Sequence, residues 1–419
     1  MLSPKYRAPT PQFAALCYLS LRRTTLESFF KIFDKHFMRF ILPILITTLL
    51  CCSANLSHAG DDDQIIRALE KDILTKRLEG NYPQALALCA KLKAIPAGEA
   101  LGIALELDTQ LTALSWDDQK VFSTQDMIRQ TNRLIKECKP KRKKPTADQL
   151  FLCGRGHFAR AYLSAMEGKF YAAGTHGSDA IDAFEAALNQ DPGLTDVKLP
   201  LGMAYFYADH LPAIVKLMAP LLWFIPTGNS DKSLPYIQEV MATDGAYADA
   251  ARFIYSDLII QQAPELMPDA IQTLQGLTER YPMNPRLHLA LIGSYAYSDQ
   301  WRAAYDAIGP LRLNADPNSA FQSIGHIWAV YSLKYLKQPI PQDVEKAFLI
   351  IGPEDIPGWA IDWFTLAQGL VLDFQQNRSG AIEKYQTVLE SENNFNSGWL
   401  LELAKTGLDE PLFILAPEG

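Results

Sequence analysis

Apolar and small residues recur along this chain at intervals of four and three, and that spacing predicts helices. Ala180, Phe184 and Ala187 put small and bulky groups on one helical face, and Pro192 follows as a stop. Gly168 and Tyr171 lie twelve and nine residues upstream of Ala180, where a preceding antiparallel helix would offer a notch and a ring to that face. After 34 residues Gly202, Tyr205 and Pro226 repeat Gly168, Tyr171 and Pro192. Ala270, Leu274, Leu277 and Pro282 repeat the spacing again, and Tyr295 with Ala304 continue it. Gly80, Tyr82 and Ala85 fit a degenerate unit near the front, and Gly369, Ala381, Tyr385 and Val388 a last one. No alternating strand pattern of any length is present. The expected fold is therefore an all-α solenoid of about five to six antiparallel helix pairs. Irregular insertions are expected near 229–250 and 319–361, and a terminal helix around 399–408 caps the stack.

Local signals refine this outline. Asp61, Asp62 and Asp63 suit a helix start, and Ser123 with Asp126 and Thr146 with Gln149 read as capping boxes for helices beginning near 124 and 147. Between those two helices lies KECKPKRKKP, with Lys136, Lys139, Lys141, Arg142, Lys143 and Lys144, either a solvated loop or a patch for acidic lipid headgroups or an acidic partner. GTHGSD at 174–179 falls at an expected inter-helix turn. Residues 211–226, LPAIVKLMAPLLWFIP, are apolar almost all round. As the second helix of a repeat this segment would be core. As an exposed amphipathic element it would place Leu221, Leu222, Trp223 and Phe224 in a membrane surface or against an apolar ligand.

The front of the chain has another character. Residues 38–59 show Arg39, an apolar run from Phe40 to Leu50 and a small-residue site at Ser57-His58-Ala59, the layout of a secretory signal peptide. The leader is thus 1–59, with 1–37 upstream of an expected start at Met38. The rest divides into an N-terminal helical region at 60–148, a repeat core at 149–318 and C-terminal helices at 319–419. Without the leader, 32 basic side chains face 45 acidic ones, a net charge of −13 that argues against nucleic acid as a partner. Export allows disulfides. Of Cys89, Cys138 and Cys153, the last two flank the basic loop and are the candidate pair.

Catalytic signatures are missing from the sequence: it has no G-x-S-x-G, H-E-x-x-H, P-loop, G-x-G-x-x-G or paired-cysteine zinc motif. His157, His176, His210, His288 and His326 are scattered, so neither a metal nor a cofactor is expected. Cys153 and His157 stand four apart, on one helical face, where packing explains them better than thiol chemistry. A helix-pair stack presents a concave surface for peptides and proteins. Residues of first helices, Arg160, Tyr162, Tyr205, Tyr207, His288 and Tyr297, are the candidates for it.

The 34-residue period is that of the tetratricopeptide repeat superfamily. Within it, LCGRGHFARAYLSAMEGKFYAAGTHGSDAIDAFEAAL followed by LPLGMAYFYADHLPAIVKLMAPLLWFIPTGNSDKSLPYIQEV resembles the family of tetratricopeptide repeat protein 39 and the mitochondrial outer-membrane inclusion-body clearance protein. The shared features are Gly202, the Leu211-Pro212 to Pro226 segment and the Gly228-Asn229 turn, all structural, over about 150–245. The resemblance implies a non-enzymatic repeat protein acting near membranes or lipid bodies. The signal peptide departs from that family. The expectation is an exported, periplasmic or envelope-associated scaffold that binds a protein or peptide, with lipid handling through 211–226 as the alternative.

Overall fold

A computed structural model of the chain describes residues 55–114, 124–139, 144–209, 229–262, 264–314, 320–391 and 398–415. The leader up to residue 54, the segment 211–226 with Leu221, Leu222, Trp223 and Phe224, and Lys141, Arg142 and Lys143 lie outside the described residues. The elements are α1 (Asn55–Leu78), α2 (Tyr82–Lys93), α3 (Glu99–Leu114), α4 (Thr124–Ile135), α5 (Ala147–Met166), α6 (Phe170–Gln190), α7 (Lys198–Asp209), α8 (Ser230–Met241), α9 (Ala248–Gln262), α10 (Met267–Arg280), α11 (Pro285–Tyr297), α12 (Trp301–Asp306), α13 (Ile308–Asn314), α14 (Ala320–Leu336), α15 (Gln342–Ile350), α16 (Ile361–Phe374), α17 (Arg378–Glu390) and α18 (Gly398–Asp409). Among the described residues every regular element is a helix, and each packs chiefly on its neighbours in the chain. The molecule is an all-α solenoid.

One spacing builds it. Ala85, Cys89 and Leu92 on α2 are fully buried, and the same four-then-three triple of buried positions recurs at Met127, Thr131 and Leu134, at Ala180, Phe184 and Ala187, and at Ser233, Ile237 and Val240. It recurs again at Ala270, Leu274 and Leu277, at Ala304, Ile308 and Leu311, and at Ala381, Tyr385 and Val388. Each triple is the stripe by which a second helix meets its partner and the next unit. Only the step from Ala270 to Ala304 is 34 residues. Ala180 to Ser233 is 53, because connections and helix lengths vary while the packed stripe does not.

The turn inside five pairs is also repeated. Gly80, Gly168, Asp299, Lys337 and Gln376 all adopt positive φ. After each, the next amide closes a six-residue ring onto the preceding helix, Asn81 to Lys76, Lys169 to Ser164, Gln300 to Tyr295, Gln338 to Leu333 and Asn377 to Leu372. This is the Schellman stop, which satisfies end carbonyls while reversing the chain. Only two of the five carry the glycine that relieves the left-handed conformation.

One expectation changes. Gly168 is the turn itself and Tyr171 begins α6 with 57% exposure, so neither is on the first helix of the pair. The close approach there is Gly154, where a Cβ would lie 2.5 Å from the Phe184 ring. The helix packed most extensively on α7 among the described residues is α8. Regular helices, α8, α14 and α15 among them, lie within 229–250 and 319–361.

The N-terminal helices fold back on the middle of the chain. One apolar cluster joins Ile73, Leu74, Cys89 and Leu105 to Leu199, Ile259, Leu287 and Leu291, across the expected boundary at 148, and a second runs from Ile292 to Phe413. Polar ties follow the same path. Asn284 donates to the Leu78 carbonyl at 2.8 Å, and Arg155 on α5 reaches Asp108 of α3 at 2.6 Å and the Tyr247 hydroxyl at 3.2 Å. Tyr247 in turn donates to Glu70 of α1 at 2.9 Å. α1 begins at Asn55, so the expected cleavage point after Ala59 falls within this helix. Among the described residues no helix is long and apolar enough to cross a membrane.

Candidate functional site

Among the described residues, the pair α5–α6 brings together a cluster of histidine, cysteine and carboxylate side chains. The capping box of Thr146 and Gln149 sets the start of α5, and with it the face shared by Cys153 and His157. A 3-10 turn at Lys136–Cys138 brings Cys138 to Cys153, and the two form a disulfide with Cα atoms 5.5 Å apart. The stop at Gly168 then returns α6 antiparallel, so that His176 comes opposite His157. Their Nδ1 atoms are 3.0 Å apart, and Asp179 Oδ2 is 3.4 Å from His157 Nδ1. The His157 side chain is 12% exposed and that of Asp179 47%, so the group is closed on one side and open on the other.

Burial lowers the basicity of both rings. For His157 the Asp179 carboxylate opposes this, while His176 and Lys139 add to it. For His176, Arg160 adds to the effect of burial and Asp179 opposes it. Both imidazoles are consequently neutral at neutral pH, one Nδ1–H donating to the other ring's bare Nδ1. Among the described residues, the ligand atoms of His157, His176 and Asp179 lie within 4.8 Å of one another, as do those of Cys138, Cys153 and His157. The disulfide withdraws the two sulfurs of the second group.

The expectation of scattered histidines thus fails for two of them. GTHGSD is not a turn, because α6 runs through Gly174 and Gly177 without a break. The available signal was the three-residue step from His176 to Asp179, which puts both on one helical face, combined with Cys153 and His157 on the preceding helix.

A second feature lies on the C-terminal half. Trp301 stacks on Tyr335 with ring centres 4.0 Å apart, Tyr335 faces Trp399 at 6.5 Å, and Trp399 stacks on Trp363 at 5.5 Å. Trp363 and Tyr331 are buried, the Tyr331 hydroxyl donating to the Trp363 carbonyl at 2.9 Å. Trp301, Trp328, Tyr335 and Trp399 are half-buried. Lys334 Nζ sits 3.8 Å from the centre of the Tyr335 ring and has no carboxylate partner among the described residues. Burial pulls its ammonium down to about 8.

Of the six residues expected on a binding surface, two are buried and four are half-buried. Tyr205 and His288 are core side chains, 4% and 5% exposed, the first donating to Glu185 and the second bonded to the Pro282 carbonyl at 2.7 Å. Tyr207 packs against the apolar cluster of α1, α2 and α9. Tyr162 and Tyr297 are half-buried, and the Tyr297 hydroxyl is buried without a hydrogen-bond partner. Arg160 is half-buried with Nη1 likewise unpartnered. No protein-family model and no curated protein matches the chain.

Proposed function

We propose that this protein is a non-catalytic scaffold of the tetratricopeptide type that binds a peptide segment of a partner protein along the aromatic strip of its C-terminal half. The observation that carries this reading is Lys334. A cation that is partly desolvated, held against Tyr335 and without a carboxylate partner among the described residues is ready to receive an anionic group. Trp301, Trp328, Tyr335 and Trp399 supply the large, rigid apolar area that dominates recognition energies. A peptide with apolar side chains and a carboxylate, either acidic or its own C-terminus, satisfies both features.

Selection of peptides from a displayed random library on the immobilised full chain tests this. Selected peptides are expected to carry a carboxylate near apolar residues, and Lys334→Gln is expected to weaken them about tenfold or more without lowering the melting temperature. Peptides whose affinity is the same for Lys334→Gln and the parent would refute the placement of the site.

A further inference from the structure

The α5–α6 pair is about two turns longer than the α16–α17 pair, at 20 and 21 residues against 14 and 13. Gly154 opposite Phe184 corresponds to Gly369 opposite Tyr385. Three residues past Gly369 the short pair is one turn from its stop at Gln376, whereas three past Gly154 the long pair reaches His157 and continues to Gly168. The extension therefore keeps two antiparallel helices in register at a level where the other pair is closing its turn, and that level is where His157 and His176 meet.

We infer that His157, His176 and Asp179 form a binding site for a divalent transition-metal ion of the zinc class. Nitrogen and carboxylate oxygen suit such an ion, which takes tetrahedral coordination with bonds of about 2.0–2.1 Å and hence ligand-to-ligand edges of about 3.3–3.4 Å. The observed separations, 3.0 Å between the two Nδ1 atoms and 3.4 Å from His157 Nδ1 to Asp179 Oδ2, lie close to those edges. An ion entering between them replaces the hydrogen bond the two rings share, and each ring then keeps its proton on Nε2. Three protein ligands leave a fourth position, on the exposed side of Asp179, for water or an exogenous ligand. Lys139 and Arg160 place positive charge near the rings, which moderates the affinity for a cation. The disulfide stands beside the site and keeps Cys138 and Cys153 out of the ligand set.

The test is calorimetric titration of the untagged, disulfide-bonded full chain with Zn2+, paired with the absorption spectrum of the Co2+ form. One ion is expected per chain, with a cobalt spectrum of nitrogen and oxygen ligation and no sulfur charge-transfer band. His176→Ala is expected to lower affinity by about 10- to 100-fold or more, since even outer-shell changes reach that range. Asp179→Asn changes an exposed side chain that folding does not need, and it is expected to weaken binding while leaving the melting temperature unchanged. Absence of binding by the folded chain, affinity unaltered in both variants, or a sulfur charge-transfer band in the unreduced protein would each overturn the assignment.

Discussion

The first long pair, α5–α6, and the last pair, α16–α17, solve the same packing problem with different chemistry. Both bury a four-then-three triple, Ala180, Phe184 and Ala187 in one and Ala381, Tyr385 and Val388 in the other. In both, a glycine on the first helix admits the central ring. Phe184 lies in an apolar cluster, with Phe151 at 6.1 Å between ring centres. Tyr385 lies between Gly369 and Gly407, and its hydroxyl donates to Asp373 at 2.7 Å. Asp373 also accepts from the Leu412 amide at 2.7 Å and pairs with Arg378 at 3.1 Å, so this one ring ties the end of the stack together. An interior pair has neighbours on both sides to hold it. The last pair has one, and it replaces the missing contacts with a buried hydrogen-bonded carboxylate and the capping helix α18.

The comparison is sharpest at the central rings. Phe184→Ala is expected to cost about 3–5 kcal/mol, a lost ring plus the cavity it leaves beside Gly154. A melting temperature near that of the parent would show that the pair is not packed as described. Loss of the Cys138–Cys153 bond in the double Cys→Ser variant is expected to cost about 3 kcal/mol, because a loop closed at a sequence separation of 15 is released in the unfolded chain. Denaturant unfolding of the parent with and without a reductant reads the same quantity. Tyr385→Phe is smaller, about 1 kcal/mol, since the ring stays and Asp373 keeps its other two donors. The reverse change, Phe184→Tyr, buries a hydroxyl among apolar atoms and is expected to destabilise by about 1–3 kcal/mol. If the two swaps have equal and negligible effects, the polar anchoring of the last pair is not real.

Much of this was legible from apolar spacing alone. The triples at 180, 270 and 381 were read directly, as were the capping box at Thr146 and the terminal helix. Two things misled. Gly168, Tyr171 and Pro192 match Gly202, Tyr205 and Pro226 at 34 residues, yet Tyr171 is exposed and Tyr205 buried, so the match is not a structural register. The stops at Asp299, Lys337 and Gln376 lack the glycine that marks Gly80 and Gly168. The histidine cluster was hidden because it joins residues 19 apart across a turn whose position depended on helix length. The folding back of α1–α3 onto α9 and α11 was invisible, since no local pattern records which distant helix covers a face.

At the other end of the molecule, peptide affinity is expected to fall as pH rises through about 8, where Lys334 loses its proton. Tyr335, pushed up to about 12, stays protonated throughout. This loss is not unfolding. The unfolded lysine titrates near 10.4, so between about 8 and that value the unfolded chain binds more protons, and this group makes the fold more stable as pH rises. Affinity that is flat between pH 7 and 9 would remove Lys334 from the site.

The proposed binding strip is tested most directly by photo-crosslinking, with a benzophenone amino acid placed at Tyr335 or, for comparison, at the exposed Tyr171 of the long pair. In an extract of the source cells, position 335 is expected to capture one protein, in an amount reduced by Lys334→Gln, and position 171 is expected to capture none of it. Capture of that protein from position 171 instead, or capture from 335 that Lys334→Gln leaves unchanged, would contradict the assignment of recognition to the C-terminal half.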